Sequence, residues 1–267
     1  MASERKCTAI LEPMSQPRAS RKRHIFGLSA LLIPSTLALT GCSEVSGLGF
    51  EKGLSSVNDI SLPLWQWAWI SAGIVGVFTA ALILWAAIFH RRKAGVEFPK
   101  QTQYHIPVEV AYTLIPLVIV AVLFGYTALD ENKIMAKSTT EVMHDISVEG
   151  IQWSWQFGYP EAGANALVTG TPDHPPVLYM PVGERVRFIL TSHDVDHGFW
   201  IPAFMIQMQN LPGVTNHLEF TAKKIGSFPG RCNMLCGRDH ARMIFTVKVV
   251  SPAEYQSYLA SLKAAQA

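Results

Sequence analysis

Cysteine is scarce in this chain and charge is weak. Four of the 267 residues are cysteines: Cys7, Cys42, Cys232 and Cys236. They do not form a disulfide framework, because two sit near the N-terminus and two lie close together near the C-terminus. Charged residues make up 16% of the chain and the formal net charge is +2, which leaves no electrostatic footprint for nucleic acid. There is no internal repeat and no long low-complexity linker. Strands that alternate regularly with helices are missing too, which argues against a thioredoxin-like βαβ domain.

Apolar residues are plentiful. They form 49% of the chain and give a mean hydropathy of +0.21, high for a soluble protein. The excess lies in the first half, which points to membrane segments rather than one oversized core. The length suits one to two domains.

Residues 1–41 read as a signal peptide. Arg21-Lys22-Arg23 precede an apolar run from Ile25 to Leu39, the charged and apolar regions of a secretory signal. Pro34 inside that run argues against a lasting spanning helix. The run ends Leu39-Thr40-Gly41-Cys42, similar to a bacterial lipoprotein cleavage box. On that reading Cys42 is the first mature residue and carries lipid, and Cys7 is discarded. Ordinary cleavage nearby and an uncleaved signal anchor are the alternatives. Residues 42–63 then form an extracytoplasmic N-terminal segment.

Residues 64–129 read as a transmembrane helical hairpin. Leu64 to Phe89 is a long uncharged stretch, and a bilayer needs about 20 apolar residues. Trp65, Trp67 and Trp69 cluster at its start, where amphipathic rings favour the headgroup level. His90-Arg91-Arg92-Lys93 follow its end, which the positive-inside rule assigns to the cytoplasm. A second apolar stretch runs from Ile106 to Leu129 and is closed by Asp130, Glu131 and Lys133. Signal and charge rule agree that everything from residue 130 lies outside the cytoplasm of a multi-pass cell-membrane protein. The alternative is a core helical hairpin of a soluble protein. Glu109, near the start of the second stretch, has two readings: an acid favoured by the helix dipole, or a proton-handling carboxylate at membrane level.

Residues 130–251 read as an all-β domain. Short β-rich runs at Val142–Val148, Val177–Met180, Arg185–Thr191, His217–Thr221 and Ile244–Val250 are punctuated by turn residues such as Tyr159-Pro160 and Leu211-Pro212-Gly213. This pattern suggests a sandwich or barrel. Residues 252–267 read as a C-terminal helix and tail. Ser251 is its cap, Pro252 opens its first turn, and Glu254 completes a capping box.

One cluster carries chemistry. Cys232-Asn233-Met234-Leu235-Cys236-Gly237-Arg238-Asp239-His240-Ala241-Arg242-Met243 places two thiols, one imidazole and one thioether within twelve residues. Soft sulfur ligands with imidazole suit copper, with a distant Met as weak ligand. The chain must loop to bring these groups together, with Gly230 before the loop and Gly237 within it. A further ligand is expected from another strand: His197, in Asp194-Val195-Asp196-His197-Gly198-Phe199-Trp200, with His193 as a rival. A Cys232–Cys236 disulfide explains neither His240 nor Met243. Tetrahedral zinc leaves Met243 idle. A thioredoxin-type copper chaperone lacks its βαβ context.

The loop pattern Cys-x-x-x-Cys-Gly-x-x-His-x-x-Met, the upstream Asp-Val-x-His and the helical hairpin together resemble subunit II of cytochrome c oxidase. The resemblance covers residues 60 to 250 or so. The lipoprotein box and the segment from His197 to Pro202 look most like Gram-positive, especially actinobacterial, members. It implies a cupredoxin-like Greek-key domain with a dinuclear copper centre, CuA. Carried over, Cys232 and Cys236 bridge both coppers, His197 and His240 each bind one, Met243 is a weak axial ligand, and the backbone carbonyl of Met234 is the other.

The segment Gln152-Trp153-Ser154-Trp155-Gln156-Phe157 resembles the family's aromatic stretch. Trp153 then matches the ring through which the donor passes its electron, while Trp155 and Phe157 pack beneath the copper loop. Glu109 matches the acid at the mouth of a proton pathway into subunit I. The implied function is electron transfer from cytochrome c, or a bound c-type domain, to haem in subunit I. That subunit, which carries haem and CuB, reduces oxygen to water with proton translocation. Other oxidase subunits and the membrane complete the partners. Quinol oxidase subunit II shares the architecture but typically lacks the copper ligands; a lipid-anchored copper-binding or assembly protein is the other rival. The chain also departs from the family. Met234 stands where many members have a Glu that helps hold an interface magnesium or manganese, and a thioether cannot serve such a hard cation. Gln207 and Gln209 replace a common Lys and Asp, and Gly198 replaces a common Ser.

Overall fold

The computed structural model describes residues 47–91, 95, 101–137 and 142–266. The signal segment, Cys7, Cys42 and the basic pair Arg92-Lys93 lie outside the described residues.

Two long helices come first, α1 (Ser56–Phe89) and α2 (Ile106–Met135). Each has a window of mean hydropathy 2.3, none of it buried. Side chains such as Phe78, Leu82, Ile115 and Phe124 are openly exposed. An apolar surface of that extent does not persist in water, and it suits a lipid environment. α1 begins well before the apolar run at Leu64. Ser55 caps it by accepting a hydrogen bond from the Asn58 N–H at 2.9 Å, so capping rather than hydropathy sets its start. α2 likewise runs past Leu129, and Lys133 pairs with Asp130 at 2.7 Å in its last turns.

The α1 start is welded to the β domain. Leu54, Val57 and Leu62 are buried. The Ser55 hydroxyl donates to the Phe204 carbonyl at 3.1 Å, and the Thr221 N–H donates to the Ser56 hydroxyl at 3.1 Å. Lys223 pairs with Asp59. The polar turn before the membrane run thus serves as a structural foot.

Ten strands follow: β1 (Val142–Ile151), β2 (Ser154–Gly158), β3 (Leu167–Thr169), β4 (Val177–Pro181), β5 (Arg185–Ser192), β6 (His197–Ile201), β7 (Ile206–Asn210), β8 (Asn216–Thr221), β9 (Gly226–Cys232) and β10 (Ile244–Val250). They form two five-stranded sheets, ordered β3-β2-β1-β5-β8 and β4-β10-β9-β6-β7. Pairing is antiparallel except for β1 with β5 and β10 with β4. This is the two-sheet β domain the sequence predicts. The strands that alternate cleanly coincide with the sequence reading, while β6 and β9 do not advertise themselves. β9 carries Gly226, Pro229 and Gly230, residues poor in strand propensity. Gly230 is required there, since a Cβ would fall 2.2 Å from the Phe245 ring.

Period-two alternation builds the core. In β5, Val186, Phe188 and Leu190 are buried, while Arg185 and Arg187 point outward to Glu219 and Asp145. Between the sheets, Phe199 stacks on Phe245 at 5.0 Å, and Trp155 meets both edge-on at 5.8 and 5.4 Å. Full burial of such side chains contributes roughly 1.5–3 kcal/mol each. This aromatic floor lies directly under the metal-ligand loop.

Helix α3 (Pro252–Ala264) closes the chain and buries Tyr255 and Leu259. The Ser251 hydroxyl accepts from the Glu254 N–H at 3.2 Å. The Glu254 carboxylate reaches Lys248 at 3.7 Å, so the predicted box is observed in its serine half.

Candidate metal centre

Three segments converge at one end of the sandwich. β9 ends at Cys232, and the chain loops back to β10 through a short 3-10 turn at His240–Arg242. β6 opens at His197 beside it. Pairing of Phe199 with Cys232 sets the register between β6 and β9. The connection between β1 and β2 brings Gln152 and Trp153 to the same place.

The two thiols are free and buried, with Sγ atoms 3.8 Å apart. That gap is far beyond a disulfide bond of about 2.05 Å. His197 Nδ1 lies 4.0 Å from Cys232 Sγ, and His240 Nδ1 lies 3.5 Å from Cys236 Sγ. Met243 Sδ is 3.7 Å from Cys236 Sγ, and the Met234 carbonyl oxygen is 3.1 Å from Cys232 Sγ. His197, Cys232 and Cys236 form the tight group, with ligand atoms within 4.8 Å of one another. His240 joins from the far side, through Cys236. The sulfurs therefore sit in the middle, with one imidazole and one weak donor at each flank. A single tetrahedral ion would want both imidazoles on one centre. Two soft ions sharing the central sulfurs fit this donor set.

The tautomer of His197 is fixed from behind. Its Nε2 lies 2.8 Å from Asp194 Oδ1, so Nε2–H donates outward and the Nδ1 lone pair turns to the sulfurs, as metal-binding imidazoles are commonly held. Asp194 is held in turn by the Gln152 N–H at 2.7 Å. Burial opposes ionisation of Asp194, but these hydrogen bonds keep its carboxyl below the usual range. At Cys232, burial raises the thiol, and the combined pull of His197 and the Gly198 N–H lowers it below the usual thiol range. Burial and the neighbouring Cys232 charge push Cys236 up. Two adjacent thiolates repel, so both ionise together only when a cation compensates them.

Gly150 makes room for His197. A Cβ there would sit 2.6 Å from the His197 ring. Gly237 has φ +123°, and a Cβ there would meet the Trp153 indole at 2.9 Å. Glycine at both positions lets the loop close over the site.

Trp153 is bound to the loop itself. Its Nε1–H donates to the Cys236 carbonyl at 3.1 Å, and Gln152 Nε2 donates to the same oxygen at 2.9 Å. Trp155 and Phe157 are fully buried in the core. His193 stands outside the cluster: its side chain is exposed and 3.9 Å from Glu149. Glu109 accepts the His105 N–H at 2.8 Å, closing the N-terminus of α2. Asp194, Gln152 and Gly150 carry no role in the sequence reading. Asp194 lies within the quoted histidine segment, but which atom it supports depends on how the chain folds back.

The sequence departures gather in one place. Gly198, Met234, Gln207 and Gln209 lie together, linked directly or through Asn233. Asn233 Nδ2 donates to Gln207 Oε1, Gln209 Nε2 lies 3.7 Å from Met234 Sδ, and a Cβ on Gly198 would collide with Asn233 Oδ1 at 1.8 Å. The patch is neutral amide and thioether, with no carboxylate among these five residues.

The chain is similar to known proteins. The family description "Cytochrome C oxidase subunit II, periplasmic domain" matches residues 144–250. The probable cytochrome c oxidase subunit 2 of Streptomyces avermitilis is 38% identical, over 93% of this chain and 89% of that protein. Cytochrome c oxidase subunit 2 of Mycobacterium bovis is 31% identical, over 87% and 80% respectively. Among solved structures, the periplasmic domain of cytochrome oxidase subunit II from Bradyrhizobium japonicum is 30% identical with a TM-score of 0.43, covering 50% of this chain and 99% of that one.

Proposed function

This chain belongs to the cytochrome c oxidase subunit II family, and we propose that His197, Cys232, Cys236, His240, Met243 and the backbone carbonyl of Met234 hold its copper. It is the copper-bearing subunit of a membrane-bound haem–copper oxidase whose oxygen-reducing site lies on subunit I. Copper held by these residues would supply a one-electron relay between a donor and that haem, with the thiolates of Cys232 and Cys236 as its soft ligands. The observation that carries the ligand assignment is the central pair of unbonded sulfurs, 3.8 Å apart, with His197 and His240 on opposite sides.

The residues of this chain provide a rigid, mostly water-excluding seat. Cys232, Cys236, Met243 and His197 are all buried. Asp194 orients His197, and Gln152 and Trp153 pin the carbonyl of Cys236. Groups fixed this way need little rearrangement when charge changes, which favours fast transfer. Trp153 is the ring through which the electron arrives: it is part-exposed, and its Nε1–H is hydrogen-bonded to the carbonyl of Cys236, whose sulfur belongs to the cluster. The donor is a c-type cytochrome, soluble or tethered.

The remaining assignments rest on sequence. The β domain faces outward from the cytoplasm, which the flanking charges of both helices support. The chain is read as segments 1–41, 42–63, 64–129, 130–251 and 252–267, from signal to C-terminal helix. Cys42 is lipidated after signal cleavage, which Leu39-Thr40-Gly41-Cys42 supports. Glu109 stands at the mouth of a proton pathway, and its place at the start of α2 supports that.

Electron paramagnetic resonance with copper counting on the purified oxidase tests the centre. Two coppers sharing one unpaired electron are expected in the subunit, and Cys232→Ser should abolish that signal. A normal mixed-valence signal in the Cys232→Ser variant would sink the assignment.

A further inference from the structure

The Trp153 ring carries a cation on its face. The guanidinium carbon of Arg238 lies 5.1 Å from the ring centroid, within cation–π range. Asp239 steadies it: Nε and Nη2 of Arg238 both donate to Asp239 Oδ2, at 3.1 and 3.0 Å. The Arg238 side chain is nevertheless 80% exposed, whereas Asp239 is 17% exposed and also lies 3.5 Å from Arg242. The one carboxylate of the loop is thus turned inward and shared by two guanidiniums. Asp194 is turned inward as well, to Gln152 and His197. Leu235 is 84% exposed, next to the Cys236 whose carbonyl holds Trp153. Arg242 on the other side of the loop is paired with the exposed Asp173, so around Trp153 the loop presents an apolar side chain, an aromatic ring and the exposed guanidinium of Arg238.

We propose that Arg238 is a docking residue that receives an acidic side chain of the electron donor, so that the subunit selects a c-type cytochrome with an acidic rather than a lysine-rich rim. The inference rests on Trp153 being where the electron arrives. A guanidinium fork matches a carboxylate in two parallel hydrogen bonds. Only Nε and Nη2 of Arg238 are engaged by Asp239, on a side chain that is mostly exposed. Trp and Arg at the centre of a small apolar patch are the residue types that dominate interface energetics. A basic rim would meet the guanidinium as a like charge, which slows association and disfavours the pair. Asp196, exposed on the β5–β6 loop, and Asp173, exposed but paired with Arg242, are the competing charges, and replacing Asp196, unpaired among the described residues, separates the two readings. In the transfer the donor haem iron passes from ferrous to ferric and the subunit gains one electron. Arg238 itself carries neither electron nor proton.

The experiment uses the intact oxidase with two soluble c-type cytochromes, one acidic and one basic, followed by stopped flow and by equilibrium binding at varied ionic strength. The wild type should bind and oxidise the acidic cytochrome faster at low salt. Arg238→Glu should lower that second-order rate and affinity by about tenfold, with the difference vanishing at high salt. Arg238→Lys should keep most of the low-salt association rate, which depends on charge, but bind more weakly than the wild type because the two-bond fork is lost, and Arg238→Gln should fall between the wild type and Arg238→Glu. Asp196→Asn should not slow the acidic cytochrome, and Lys224→Gln, far along the fold beside Glu51, should change nothing. A copper resonance unchanged in each variant shows that the site is intact. An acidic-donor rate that Arg238→Glu leaves unchanged or raises overturns the proposal, as does a wild type that prefers the basic cytochrome. Trp153→Leu separates the premise: it should slow both cytochromes at every salt concentration. If it does not, Trp153 is not the point of arrival, while the Arg238 result still reports the donor's charge.

Discussion

The indole nitrogen of Trp153 and the carbonyl oxygen of Cys236 are joined by a 3.1 Å hydrogen bond. One bond therefore connects the part-exposed ring to the backbone of a residue whose sulfur lies at the centre of the cluster. Trp153→Phe keeps an aromatic ring and removes that bond. Electron arrival should slow by about tenfold, equivalent to 1.4 kcal/mol of barrier, while the copper spectrum stays as it was. Stopped-flow reduction of the copper centre measures it, and an unchanged rate would remove Trp153 from the route.

Met243 is buried beside Cys236 at the edge of the sulfur pair. The thioether is a weak donor; replacing it with an apolar side chain removes donation and leaves a less polar surrounding, which favours the lower-charged, reduced centre. Met243→Leu should retain both coppers and raise the reduction potential by about 60 mV, a tenfold change in a one-electron equilibrium. Redox titration reads this directly. Loss of copper instead would mean that Met243 is a structural ligand.

Gly150 faces the His197 ring, with room for hydrogen only. Gly150→Ala must push the imidazole or bend β1, a cost of about 1–3 kcal/mol. Copper stoichiometry and melting temperature should both drop, more than for an alanine placed at exposed Gly213, where nothing lies within 4 Å except that φ is +71°. Full copper retention by Gly150→Ala would show that His197 has slack.

The metal-free thiols stand close enough to oxidise after a modest loop shift, and they lie in a domain read as outside the cytoplasm, where disulfides persist. Incubating copper-free protein with oxidised glutathione should remove two titratable thiols, relative to a Cys232→Ser control, and block copper uptake until a reductant is added. Uptake that proceeds unhindered after oxidation would show that the loop holds the sulfurs apart.

The sequence by itself determined the class of protein. Two apolar runs with charged flanks, a β-rich remainder and a twelve-residue loop of soft ligands are local patterns, each readable because it rests on composition and spacing. The alternating strands β1, β4, β5, β8 and β10 fall where period two places them, and Ser251 caps the final helix as its neighbours dictate. Long-range register was not legible in this way. Nothing along the chain says that β6 pairs with β9, yet that pairing sets His197 beside Cys232. The support of His197 by Asp194, the vacancy that Gly150 leaves for it and the Arg238 cation over Trp153 arise only when distant segments meet. So does the gathering of Gly198, Met234, Gln207 and Gln209 into one neutral patch. The helix starts differ for the same reason. Hydropathy reports which residues suit lipid, but the start of α1 is decided by Ser55 and by burial of Leu54 and Val57 against the β domain. Side-chain chemistry named the candidate ligands, and tertiary packing decided their distances, tautomer and surroundings, because those depend on which surfaces the fold brings into contact.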